Sequence, residues 1–96
     1  MATDKKPSIL IFFEGENHRI FLEPNEKTLK VSGQSYTHKS VYKSRGNTYA
    51  IEVVSHADAP NKAKVSVYSA TTQKLVACRP DVDVRFYKKL LKYGKV

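Results

Sequence analysis

The chain has 96 residues, seventeen Lys and Arg against nine Asp and Glu, and a formal net charge of +8. That length fits one domain, and 41% hydrophobic residues suffice for a single core, which excludes a wholly disordered chain. No apolar run approaches the roughly 18–20 residues that cross a bilayer as a helix.

Met1 to Lys6 is polar and reads as a mobile tail, leaving 7–96 as the folded domain. Ile9 to Phe13 is a continuous apolar run and predicts a central strand buried on both faces. Glu14-Gly15-Glu16-Asn17 breaks it as a turn. Ile20 and Leu22 alternate with Arg19, Phe21 and Glu23, the pattern of a half-buried strand, and Pro24-Asn25 supplies turn chemistry. Leu29 and Val31 give a short strand closed by Gly33-Gln34. Tyr36 to Lys43 alternates, with Tyr36, His38, Ser40 and Tyr42 on one side and Thr37, Lys39, Val41 and Lys43 on the other. Ser44-Arg45-Gly46-Asn47 is a hairpin turn. Tyr49, Ile51 and Val53 share a face of the next strand. His56 to Ala63 is polar, contains Asp58 and Pro60, and predicts a loop. Val65 and Val67 mark another strand, and Thr71-Thr72-Gln73 turns the chain into Lys74 to Cys78.

The texture changes after Arg79-Pro80. Asp81 and Asp83 suit a helix N-cap. At 100° per residue Val84, Phe86, Tyr87, Leu90, Leu91 and Tyr93 fall on one arc, opposite Arg85, Lys88, Lys89 and Lys92. Gly94 stands where a C-terminal cap belongs. The expected fold is α+β: six or seven short antiparallel strands in a curled sheet or small barrel, then one C-terminal amphipathic helix. This order of elements is similar to that of pleckstrin-homology-like domains. The resemblance implies an adaptor that binds phosphoinositides through lysines in an early hairpin; here the first hairpin carries Glu14 and Glu16, with Arg19 its only basic residue.

No catalytic pattern emerges. His18, His38, His56 and Cys78 are about twenty residues apart, without the close spacing of zinc ligands. Gly15, Gly33, Gly46 and Gly94 are isolated and form no phosphate-binding loop. The expectation is a protein that is not an enzyme and carries no cofactor and no metal. Cys78 is the sole cysteine, which forbids an internal disulfide and suits a reducing interior. Lys5-Lys6 and the apolar run after it are too short for a secretory signal. An intracellular protein, cytoplasmic or nuclear, is expected.

The charge is segregated. Residues 1–26 hold three basic and five acidic groups; residues 27–96 hold fourteen basic and four acidic. The stretches 27–51, 59–80 and 84–96 contain no acid. Such segregation favours a one-sided positive field. The segment from Tyr36 to Tyr49 interleaves aromatics with bases, so rings on an exposed sheet face would stack on unpaired bases while lysines meet phosphates. Nucleic acid, RNA or DNA, is therefore the first expected partner, with Tyr36, Lys39, Tyr42, Lys43, Arg45, Arg85, Lys88, Lys89 and Lys92 as its contact residues. The alternative is a protein-interaction module or inhibitor for an acidic protein. Val41, Tyr42 and Lys43 would also serve as an edge strand for homodimer pairing.

Overall fold

A computed structural model describes residues 8–22 and 27–94, apart from the side chains of Lys89, Tyr93 and Gly94. The expected tail (Met1–Lys6) and the Pro24-Asn25 turn lie outside the described residues.

The described residues form seven antiparallel strands in two sheets and one short helix. β1 (Ser8–Phe13) and β2 (Glu16–Phe21) make a two-stranded hairpin. β3 (Leu29–Ser32), β4 (Ser35–Ser44), β5 (Asn47–His56), β6 (Ala59–Ser69) and β7 (Leu75–Asp83) make a five-stranded meander in chain order. α1 spans Tyr87–Gly94. The sheets are open and do not close into a barrel.

Tight turns fix the registers. Glu14 and Gly15 have φ of 53° and 82°, and Arg45 and Gly46 have 51° and 80°. Two successive positive φ values define type I′ hairpins, whose twist matches that of the flanking strands. Each hairpin therefore opens on a bonded pair, Phe13 with Glu16 and Ser44 with Asn47.

Alternation sorts the side chains as expected on most strands. Ile20, Leu22, Leu29, Tyr49, Ile51, Val53, Val65 and Val67 point into one core with Ile9, Ile11 and Phe13. Val84 and Leu90, before and within α1, complete it. Side chains make the joins between hairpin and meander. Arg79 of β7 donates from Nη2 to the Phe12 carbonyl at 2.9 Å. His18 of β2 meets the Tyr42 hydroxyl of β4 at 2.9 Å.

Four expectations are corrected. β1 is buried on one face only, and Leu10 and Phe12 are 56% and 47% exposed, because its sheet has just two strands and nothing covers the outer side among the described residues. The 56–63 loop is a two-residue turn, Ala57-Asp58. Pro60 is tolerated in β6 because the ladder jumps from His56↔Ala59 to Ser55↔Ala63, leaving a bulge where no proline N–H is needed. β7 runs on to Asp83, so Asp81 and Asp83 are strand residues and not helix caps: Lys62↔Asp83 and Ala63↔Val82 keep the chain extended, and the Val84 N–H continues to Asn61. The helix is correspondingly short, about two turns.

Candidate functional site

Register builds the site on the outer face of the meander. Strand pairing aligns outward residues in rows across the sheet. One row reads Lys30, Thr37, Val54, Lys64. The next reads Lys39, Glu52, Ser66, Cys78, and the next Val41, Ala50, Tyr68, Leu75. Lys43 and Thr48 end the face beside the hairpin turn. Lys30, Lys39, Lys43 and Lys64 are exposed, and Glu52, 3.7 Å from Lys39, is the one carboxylate in these rows. Between the lysines runs an apolar row whose ends, Val41 and Leu75, are 68% and 55% exposed.

Of the residues expected to bind nucleic acid, Lys39 and Lys43 lie on this face. Tyr36 does not: it is 2% exposed, and its inward side of β4 is the core side. Burial pushes its phenol up to about 12. Its ring is unavailable for stacking on a base. Tyr42 is half-buried on the same inward side, with its hydroxyl on His18. Arg45 stands at the turn and pairs with Glu16 at 3.0 Å. Arg85 lies 3.8 Å from Asp83. Lys88 and Lys92 are exposed on α1; the Lys89 side chain is outside the described set. α1 rests on β3, which flanks only the Ser35–His38 half of β4. From there to Arg45 is roughly 25 Å of strand. The hairpin tip and the helix face are therefore two surfaces.

The hairpin tip is acidic and aromatic. Phe13 stacks on His18 with ring centroids 3.9 Å apart, and Tyr42 and Tyr49 meet Phe13 edge-on. Tyr49 donates its hydroxyl to Glu14, and that bond raises the phenol above its ordinary range. Glu14, Glu16, His18, Ser44, Arg45, Asn47 and Tyr49 surround a cleft of about 150 Å³. Glu16 pairs with Arg45 and Glu14 accepts from the Tyr49 hydroxyl, so these contacts hold the β1–β2 hairpin against β4 and β5.

A larger groove, about 490 Å³, separates β2 from β4 beyond the end of β3. Ile20 and Phe21 line one wall; Lys39, Ser40, Val41, Tyr42 and Lys43 line the other. Lys30, Lys64 and Tyr68 were not among the expected site residues. Their signal was present in the sequence: period-two alternation along β3 and β6, the latter inside the acid-free stretch 59–80.

Among the described residues no three or more His, Cys, Asp or Glu gather in a way that would hold a metal ion, and no helix is long and apolar enough to cross a membrane. Compared with known protein families, with curated proteins and with solved structures, the chain matches none.

Proposed function

We propose that this chain is a non-enzymatic protein-interaction module that binds an acidic partner protein through the outer face of the five-stranded sheet. The observation that carries this reading is the apolar row of Val41, Ala50, Tyr68 and Leu75, exposed but for half-buried Tyr68, set among four lysines. A protein interface has an apolar centre and a polar rim, and this face is laid out in that way. Lysine complementarity steers an acidic partner and selects it. A sugar–phosphate backbone would use the lysines and leave the apolar row wet.

Nucleic acid is the second reading, supported by the same lysines and by half-buried Tyr68 beside them. It is weaker because Tyr36 and Tyr42, the rings expected to stack, point inward.

Fluorescence anisotropy across a salt series separates the two. The probes are a short peptide of alternating Glu and Val, a single-stranded oligoribonucleotide and a DNA duplex. The peptide is expected to bind at physiological salt, and the nucleic acids only at low salt. Tighter binding of either nucleic acid, with a log–log salt slope of several units, overturns the proposal.

A further inference from the structure

The apolar row on the outer sheet face crosses the strands instead of running along one. Val41 pairs with Ala50, Ala50 with Tyr68 and Tyr68 with Leu75, so β4, β5, β6 and β7 each supply one residue. All four strands lie wholly within the described residues. Three strand spacings make the row about 14 Å long. Its profile is uneven. Val41 and Leu75 stand out at the ends and Tyr68 is half-buried; between Val41 and Tyr68 the row drops to the single methyl of Ala50.

The charges are placed unevenly too. Lys39 and Lys43 are outward residues of β4, one on each side of Val41 and each about 7 Å from it along the strand. The β4 end of the row is thus held between two cations. Glu52, the one carboxylate in these rows, stands two residues beyond Ala50 on β5.

A partner segment that crosses the middle of this face cannot pair its backbone with the strands beneath it, because their N–H and C=O groups bond to one another. An extended segment laid there would bury its own unpaired N–H and C=O groups over the apolar row, at a cost in stability. A helix satisfies its backbone internally and buries only side chains.

Resting on the acidic-partner reading above, we infer that the partner docks an amphipathic helix along this row, with its acidic turn at β4 and an aliphatic side chain over Ala50. Anchors at i, i+4 and i+7 rise about 6 and 10.5 Å from the first. Ala50 and Tyr68 lie about 5 and 10 Å from Val41, so the three anchors fall on Val41, Ala50 and Tyr68 in turn. Residues i−1 and i+1 stand about 100° to either side of the first anchor. Glu at both places therefore reaches toward Lys39 and Lys43 at once. Flanking positions farther along carry no acid, because Glu52 borders that stretch and like charges repel.

A second copy of this chain does not supply such a helix. α1, the one helix among the described residues, reads Tyr-Lys-Lys-Leu-Leu-Lys-Tyr-Gly, contains no acid, and spends Leu90 on its own core.

The test uses the whole chain and three synthetic peptides. The first is Ser-Glu-Leu-Glu-Ala-Ala-Leu-Gln-Ala-Leu, the second is the same peptide with its glutamine replaced by proline, and the third is the peptide of alternating Glu and Val. The first is expected to bind tightest and to gain helical circular dichroism on binding. Proline keeps both acids and all three anchors but breaks the helix, and is expected to weaken binding about tenfold or more. Ala50→Tyr fills the low point of the row with a good strand former and is expected to weaken the first peptide by a similar factor, with the urea midpoint of the domain unchanged. Equal binding of the proline and parent peptides, or binding that Ala50→Tyr leaves intact, overturns the docked helix. Binding of the alternating peptide in that case keeps the acidic-partner reading in place. If none of the three peptides binds, that reading itself falls.

Discussion

The Tyr36 hydroxyl is buried and has no hydrogen-bond partner among the described residues. An unpartnered buried hydroxyl costs stability, so Tyr36 is held by its ring and not by its oxygen. Its phenol, pushed to about 12, sits above the ordinary value near 10. The raised folded pKa means that this stability is fully present below pH 10 and is lost as pH climbs from 10 to about 12. A shift of that size corresponds to roughly 2–3 kcal/mol. Tyr49 titrates in the same direction through its bond to Glu14 and contributes to the same alkaline loss. Tyr36→Phe is expected to leave neutral-pH stability unchanged or raised by up to about 1 kcal/mol. It is also expected to shrink the loss across the pH 10–12 window without abolishing it. Urea unfolding at neutral pH and through that window reads both effects.

At the scale of elements, two of the joins outside the ladders bear directly on stability. One is α1, where Leu90 is fully buried against the β3–β4 region. A helix this short has little stability of its own and depends on that contact. Leu90→Ala is expected to lower the unfolding free energy by about 2–5 kcal/mol, read from the urea midpoint at constant m. The other join is His18 with Tyr42. Tyr42→Phe keeps the ring contacts with Phe13 and Tyr49 but leaves the buried His18 Nδ1 unpaired. A cost of about 1–3 kcal/mol follows. Amide exchange is expected to rise in β1–β2 first and in β5–β6 last, since no backbone ladder ties the hairpin to β4.

What is legible in the sequence follows the same division. Period-two alternation and I′ turn residues are local, so the faces of β2, β4 and β5 and the Arg45-Gly46 turn can be read from residue order alone. Element ends cannot be read where pairing sets them. β7 stays extended through Asp83 only because β6 lies beside it, and Pro60 enters a strand only because a bulge spares its missing N–H. That Lys39 and Lys43 share one face of β4 is visible from alternation. The inward turn of Tyr36 is visible as alternation, but which side is the core is not, because that depends on where the hairpin docks. The groove is not legible at all: it exists because β3 is four residues long and β4 is ten.

At the scale of the whole molecule, the acidic-partner proposal gives the +8 charge two distinguishable effects. Charges anywhere on the surface raise the encounter rate with an acidic protein, within a screening length of about 10 Å at ordinary salt. Charges in contact with the bound partner govern how slowly it leaves. Lys88 and Lys92 on α1 are exposed, and the helix rests at the far half of β4 from Lys43. Lys39 and Lys43 stand on the outer face of the sheet itself. Reversing Lys88 and Lys92 together to Glu is expected to slow association with the peptide of alternating Glu and Val severalfold at low salt. The dissociation rate stays unchanged, and the effect vanishes at high salt. Reversing Lys39 and Lys43 to Glu is expected to slow association as well, and to speed dissociation by tenfold or more at every salt concentration. Stopped-flow binding on the two double variants, across salt, resolves these rates. If the helix variant changes the dissociation rate as much as the sheet variant does, the helix face is part of the interface and the partner is not confined to the outer face of the sheet.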